Sequence, residues 1–164
     1  MKTMRLFPLE LRRLLQSRLT WLILLLTVLS PVLGLVLYKR ATSTTMLSMY
    51  LATPAIAGGV AGAILFGLLA IFELDRACRS RVDILTDAVV SPLTTALTRL
   101  LALLMAAVLT VGLTMLVWLP ISVGLIGAVF TGANYVLAYL LFMGLALPLG
   151  ILAAAAAYQF TRRA

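Results

Sequence analysis

The residue types that could carry chemistry are concentrated in residues 72–99, FELDRACRSRVDILTDAVVSPLTTALTR. This stretch holds four of the five acidic residues, four arginines and the only cysteine, Cys78. Carboxylates and thiolates bind metals, but a lone cysteine provides neither a disulfide nor a thiolate cluster. Asp75, Asp83 and Asp87 are interleaved with arginines, a pattern that favours salt bridges over a metal site. We therefore expect no metal ion here.

Catalytic groups are scarce in the rest of the chain as well. The sequence has no histidine, so its serines and threonines lack the usual general base that activates a nucleophile. The only lysines are Lys2 and Lys39, and there is no phosphate-binding GxxxxGK(S/T) motif, so the chain does not hydrolyse ATP by itself. We expect a protein that is not an enzyme and holds no cofactor.

The composition is that of a membrane protein. Hydrophobic residues make up 63% of the 164 residues and charged residues only 11%, and the mean hydropathy is +1.15. The hydrophobic fraction exceeds that of soluble domains, which are about 45–50% apolar, and the charged fraction is below their usual value of about 25%. In a soluble protein, a net charge of +8 would suggest that the protein binds nucleic acid. Here the charges flank apolar runs, which indicates topology signals and contacts to anionic membrane lipid, and we expect no nucleic acid partner.

Long apolar segments must position the charged stretch. Each can cross a bilayer core of roughly 30 Å. The four segments are residues 20–38, 51–72, 100–119 and 135–160. They predict an all-α membrane protein with four transmembrane helices, organised as a single transmembrane domain over residues 1–164.

None of these four segments contains a charged residue. A proton-coupled carrier normally needs a carboxylate inside the membrane, so its absence disfavours that class. We expect Pro31 to kink the first segment, and Trp118 and Pro120 to end the third. Residues 121–130 are apolar but too short to cross again, which predicts a short interfacial or re-entrant piece.

The N-terminal residues 4–18 have the spacing of an amphipathic helix. Such a helix would lie in the headgroup plane as an interfacial (elbow) helix, with its arginines reaching toward lipid phosphates. The arginines of this segment are Arg5, Arg12, Arg13 and Arg18. Glu10 suits the N-terminal end of the helix dipole. The alternative is a basic N-terminus that only fixes orientation.

The second apolar segment is rich in small residues that permit close packing of helices. Gly58 and Gly62 form a GxxxG pair, and Gly59, Ala63 and Gly67 continue the pattern. In lipid, close backbone approach is a main source of helix association. The partner is either another segment of this chain or a second subunit.

The basic residues predict the orientation in the membrane. Four spans place both termini on one side, together with eleven of the basic residues, while Lys39 and Arg40 lie on the other. By the positive-inside rule, the N-terminus, the 73–99 loop and the C-terminus are cytoplasmic, which fits a protein of the plasma (cytoplasmic) membrane.

The cytoplasmic loop has its own helical pattern. Asp75, Arg79 and Asp83 follow one another at i,i+4, and apolar residues occupy another face. We expect the second span to continue as a helix to about Val90, before Ser91-Pro92 breaks it. The loop is then either a docking surface for a cytoplasmic partner or a solvated cap that marks the membrane boundary.

The order of these features resembles the N-terminal part of a type-2 ABC exporter permease. The matching positions are Glu73, Arg76, Arg79, Arg81, Ser91, Pro92 and Arg99. The resemblance implies an elbow helix at about 4–18 and a coupling element within 73–95 that contacts a cytoplasmic nucleotide-binding ATPase subunit. The implied contact residues are Glu73, Asp75, Arg76, Arg79, Arg81 and Asp83.

Two features depart from that family. Ser80 stands near the place where the family commonly has glycine, and we count four spans where such permeases usually have six. The chain is then a piece of a longer permease or a subunit completed by another, as a homo- or heterodimer. We expect the transmembrane subunit of an ABC-type exporter; the alternative is a non-transporting scaffold or accessory subunit of a larger membrane complex.

Overall fold

The computed structural model describes residues 3–41, 47–79 and 92–163, and these residues form helices and no strand. A 3-10 turn at Gly127–Val129 joins the last two helices. The helices are α1 (Thr3–Gln16), α2 (Arg18–Leu29), α3 (Pro31–Ala41), α4 (Leu47–Arg79), α5 (Pro92–Ile126) and α6 (Gly132–Arg163).

Four segments of the described residues are long and apolar enough to cross a membrane. They are Arg18–Val36, Tyr50–Arg76, Thr94–Ile126 and Gly132–Thr161, here called spans 1 to 4. The predicted fold class is therefore confirmed: the protein is an all-α integral membrane protein with four transmembrane helices. Span 1 is built from α2 and α3, and each later span from one continuous helix.

Span 1 is interrupted at Ser30, directly before the proline at which the sequence predicts a kink. Pro31 has no N–H to donate to the carbonyl of Thr27. Ser30 takes over this role, because its backbone N–H lies 3.3 Å and its Oγ 2.6 Å from that carbonyl oxygen. The next carbonyl, that of Val28, accepts a hydrogen bond of 2.8 Å from Nε1 of Trp118 on α5. The polar backbone at the interruption is thus satisfied inside the bundle.

Span 3 is longer than the sequence predicts. Pro120 lies within α5, which continues to Ile126, so residues 121–126 extend span 3 and the separate interfacial or re-entrant piece expected at 121–130 is wrong. Proline is tolerated within transmembrane helices because neighbouring groups satisfy the freed backbone. The chain turns instead at Gly127, whose φ of 67° suits a residue without a Cβ.

Spans 2 and 4 approach each other so closely that their backbones touch. A Cβ on Gly59 would lie 2.5 Å from the carbonyl oxygen of Phe142, and a Cβ on Gly150 would collide with the backbone of Ala63. Only glycine fits where helices meet at this distance. We call Gly59, Ala63, Phe142 and Gly150 the glycine seam.

The glycines that the sequence assigns to helix packing lie beside this seam. A Cβ on Gly58 would lie 2.9 Å from Sδ of Met143, and one on Gly62 would lie 2.6 Å from Cδ1 of Leu147. Gly67 has more room, with the carbonyl oxygen of Gly150 at 3.3 Å. All three therefore face span 4 of the same chain, the intramolecular alternative.

Candidate functional site

Five charged side chains meet at the end of the bundle where α1, α4 and α5 come together. Glu10 and Arg13 lie on α1, Glu73 and Arg76 near the end of α4, and Arg99 near the start of α5. We call these five residues the ion-pair network.

Each carboxylate of the network pairs with two arginines. Glu10 lies 3.4 Å from Nη1 of Arg13 through Oε2, and 3.6 Å from Nε of Arg99 through Oε1. Glu73 lies 3.3 Å from Nη2 of Arg13 through Oε2, and 3.9 Å from Nη1 of Arg76 through Oε1. Arg13 is thus shared between both carboxylates, and the pairs link three helices in one chain of charges.

Burial divides the network into an inner and an outer part. The side chains of Arg99 and Glu73 are 12% and 13% exposed, and those of Glu10 and Arg13 are 20% and 34% exposed. Arg76 is 60% exposed and forms the outer end. A charge that is largely removed from water is tolerated when it is paired, and loss of its partner is costly. The inner pairs therefore depend on one another.

Local structure explains why α1 presents its charges to the bundle. Leu14 is buried in the core, and Glu10 lies one turn before it on the same side of the helix. Arg13 is the i+3 neighbour of Glu10 and pairs with it. Extended backbone at Ser17 separates α1 from α2. The indole of Trp21 then donates a hydrogen bond of 2.7 Å to the carbonyl of Leu15. These contacts fix the direction of α1 against span 1.

The arginines predicted to reach lipid have different environments. Arg12 and Arg18 are exposed, whereas Arg13 pairs with Glu10 and Glu73 of the protein itself. Arg5 lies within the first turns of α1. That α1 lies in the headgroup plane stays a prediction.

The residues predicted to contact an ATPase are only partly covered by the structure. Glu73, Asp75 and Arg76 lie in the last turns of α4, and Arg79 is its last residue. Arg81 and Asp83 lie outside the described residues, as does the predicted helix from residue 80 to about Val90. Glu73 is turned into the network rather than outward, whereas Arg76 is exposed.

The sequence pattern does not indicate the partners of Glu10. The sequence places Glu10 at the N-terminal end of the helix dipole, and in the structure its carboxylate pairs with Arg13 and Arg99. One signal was available: Glu10 is the only acidic residue outside the charged stretch, and it recurs on the same helical face as Leu14. A carboxylate on the buried side of a helix requires a cationic partner.

The network connects three helices through ion pairs. Within the described part of the chain, no three or more histidine, cysteine, aspartate or glutamate side chains gather as a metal site would require. Two of the pairs run between helices: Arg13–Glu73 joins α1 to α4, and Glu10–Arg99 joins α1 to α5. What the arrangement can do is transmit a displacement of one helix to the other two.

Comparisons with protein-family models, with curated proteins and with solved structures gave no match. The function is therefore inferred from the residues and their geometry.

Proposed function

We propose that the chain is a transmembrane permease subunit of an ABC-type exporter. In this proposal both termini and residues 73–99 face the cytoplasm, and a separate ATPase supplies the energy. The observation that carries the proposal is the ion-pair network, which joins the N-terminal helix to the helices on both sides of the charged loop. A force applied to the loop would reach three helices at once.

Helix α4 supports this role because it is continuous from Leu47 to Arg79. Its 33 residues correspond to a length of about 50 Å. The last turns of α4 carry Glu73, which pairs with Arg13 of α1. Displacement of the end near Arg79 by a partner would therefore tilt span 2 as a rigid rod and pull α1 and α5 with it. ATP binding and hydrolysis in the partner would drive this movement.

The coupling role predicts a defined loss of binding when the charged loop is inverted. The triple variant Arg76→Glu, Arg79→Glu and Arg81→Glu should reduce co-purification of the ATPase by about ten-fold, because these charges would orient the partner. The matched control is Lys39→Glu with Arg40→Glu, two basic residues on the proposed outer side. Retention of the ATPase by the triple variant and by a deletion of residues 80–91 would overturn the proposal.

The proposed orientation can be tested with the natural cysteine. Cys78 is the only cysteine in the sequence and lies in the proposed cytoplasmic loop. A membrane-impermeant maleimide should label it in inside-out vesicles and leave it unlabelled in intact cells. The variant Cys78→Ser with Ser43→Cys moves the only thiol to the proposed outer loop and should give the opposite result. Labelling of Cys78 from outside would contradict the orientation.

A non-transporting scaffold subunit is the second candidate, and the glycine seam favours it. Spans 2 and 4 touch through backbone at Gly59 and Gly150, which suits a static support. A scaffold would co-purify with a membrane partner in fixed stoichiometry and show no nucleotide-dependent transport. An exporter subunit would pair with a second permease subunit, as the count of four spans favours, and stimulate the ATPase. Reconstitution with the ATPase separates the two candidates.

A further inference from the structure

The second half of span 1, helix α3, is held by span 2. Apart from α2, the only helix whose backbone lies close to α3 within the described residues is α4. A Cβ on Gly34 would lie 2.6 Å from the carbonyl oxygen of Thr53 and 2.7 Å from Cα of Pro54. This contact is as close as the glycine seam that joins spans 2 and 4, so α3 is fixed to that pair of spans.

The first half of span 1, helix α2, has its directed bonds elsewhere. The indoles of Trp21 and Trp118 join α2 by hydrogen bonds to α1 and to α5, and α1 packs on α5 through Leu14. Towards α4, α2 presents a side chain: Cγ2 of Thr27 would lie 3.1 Å from a Cβ on Gly62. A side chain can adjust to a small shift of its helix, whereas a backbone contact cannot. The two halves of span 1 are therefore attached to different parts of the bundle.

The backbone between the two halves is well suited to bending. The N–H of Ser30 lies 3.3 Å from the carbonyl oxygen of Thr27, and the N–H of Leu33 lies 3.0 Å from that of Ser30. Both bonds join residues three apart, and Pro31 has no N–H to donate. Helices bend sharply where a proline interrupts the i→i−4 bonds.

Space on one side of α5 gives the bundle room for such a movement. A cavity of about 200 Å³ separates α5 from α4 and α6 near Leu100, and another of about 320 Å³ separates α5 from α6 near Val111. At the end of the second cavity, Tyr135 of α6 donates a hydrogen bond of 2.7 Å to the carbonyl of Met115. Met115 lies one turn from Trp118, so the bonds from α5 to α6 and to α2 meet α5 at one level. Helix α5 can rotate at that level without losing either bond.

We propose that Ser30 and Pro31 form a hinge in span 1. On one side of the hinge, α3 moves with spans 2 and 4; on the other side, α2 stays with α1 and α5. Arg99 lies about 24 Å from Met115 along α5, so a rotation of about 5° at Met115 displaces Arg99 by about 2 Å. The ion-pair network limits this movement, because its arginines can follow the carboxylates only as far as their rotamers reach. The movement needs no partner protein.

The test measures distances between helices of the full-length chain in lipid nanodiscs by double electron–electron resonance. The background is Cys78→Ser, which removes the only natural cysteine, and spin labels are attached to cysteines introduced at exposed positions. Labels at Leu101 of α5 and Leu152 of α6 report across the cavities, and labels at Ile64 of α4 and Leu152 report between spans 2 and 4. The first distance distribution should be broader than the second by about 2 Å, the displacement that the rotation produces.

Supplying the missing backbone donor should remove this difference. Pro31→Ala provides an N–H for the carbonyl of Thr27, so span 1 becomes a continuous helix and the distribution across the cavities should narrow to the width found between spans 2 and 4. Pro120→Ala is the matched control, because it changes an exposed proline within the continuous helix α5 and should leave the distribution unchanged.

A second variant guards against misfolding of the first. Pro31→Val also provides the N–H and keeps a side chain close in size to proline, and helicity and elution volume identify the variants that fold. Equal widths of the two distributions in the Cys78→Ser background would overturn the proposal. An unchanged width across the cavities in either folded Pro31 variant would overturn it as well.

Discussion

The helices of this protein are held together in two different ways at two places. At the glycine seam, span 2 meets span 4 through backbone atoms, with the Cα of Gly59 packed against the carbonyl of Phe142. At the ion-pair network, α1, α4 and α5 meet through the ends of long charged side chains, 3.3 to 3.9 Å apart. One contact leaves no room for adjustment, and the other is made by the most adaptable side chains of the molecule.

This difference separates a rigid part of the bundle from an adjustable one. Two helices in backbone contact cannot slide without collision, because packed interiors resist deformation. Arginine side chains can follow a moving carboxylate through several rotamers before the pair breaks. We therefore expect spans 2 and 4 to move as one unit, and α1 and α5 to follow that unit through the network while the paired side chains adjust their rotamers.

The largest expected effect comes from a side chain placed in the seam. Gly59→Val should lower the free energy of unfolding by about 1–3 kcal/mol, because its Cβ meets the Phe142 carbonyl and the helices must separate. The matched control is Gly112→Val on α5, where an added Cβ meets nothing within 4 Å. Detergent-induced unfolding followed by circular dichroism measures both. Equal losses would show that the seam is no tighter than the rest of the bundle.

A somewhat smaller loss is expected from breaking the inner network. Glu10→Gln removes the charge that Arg13 and Arg99 share and should cost about 1–2 kcal/mol, since both partners are partly buried. Arg12→Gln changes an exposed arginine on the same helix and should stay within about 0.5 kcal/mol.

A double-mutant cycle checks whether the inner pair is coupled. Glu10→Gln combined with Arg99→Gln should cost less than the sum of the single variants, with a coupling of at least about 0.5 kcal/mol. Additive losses would mean that the 3.6 Å pair contributes nothing of its own.

The sequence predicted the fold class because that signal is local. Absence of charge over four long segments and the break at Pro31 follow from the chemistry of the bilayer and of proline. The predicted end of span 3 is wrong because a proline such as Pro120 can either stop a helix or be tolerated within one. Which of the two happens depends on the neighbouring helices. The true turn lies at Gly127, whose left-handed backbone no hydropathy pattern reports.

The candidate site was harder to predict than the fold. The apolar side of α1 fits lipid and helix packing equally well, since hydrocarbon and the surface of a transmembrane helix are similarly apolar. The sequence pattern alone therefore does not predict that Arg13 and Glu10 face the other helices. Only the packing of α1 on α5, through the buried Leu14, brings Glu10 to Arg99.

Trp118 gives a further prediction, because burial distinguishes its hydrogen bond from a similar one made by Trp21. Trp118 is 4% exposed and donates to the Val28 carbonyl at 2.8 Å, while Trp21 is 58% exposed and donates to Leu15 at 2.7 Å. Trp118→Phe should cost about 1 kcal/mol, because the carbonyl beside the Pro31 interruption loses its indole donor. Trp21→Phe should cost less than half as much. Detergent-induced unfolding measures both variants. Equal losses of stability for Trp118→Phe and Trp21→Phe would contradict the role given to Trp118.

The smallest effect on stability is expected at Arg76, and it bears most directly on the comparison. This arginine is 60% exposed and 3.9 Å from Glu73, so Arg76→Gln should change the free energy of unfolding by less than about 0.5 kcal/mol. If the outer end of the network serves a partner, the same variant should still weaken ATPase co-purification, whereas Arg12→Gln should not. A loss of stability as large as that of Glu10→Gln would place Arg76 with the inner pairs. All pairs of the network would then stabilise the fold, and the distinction between its inner and outer ends would disappear.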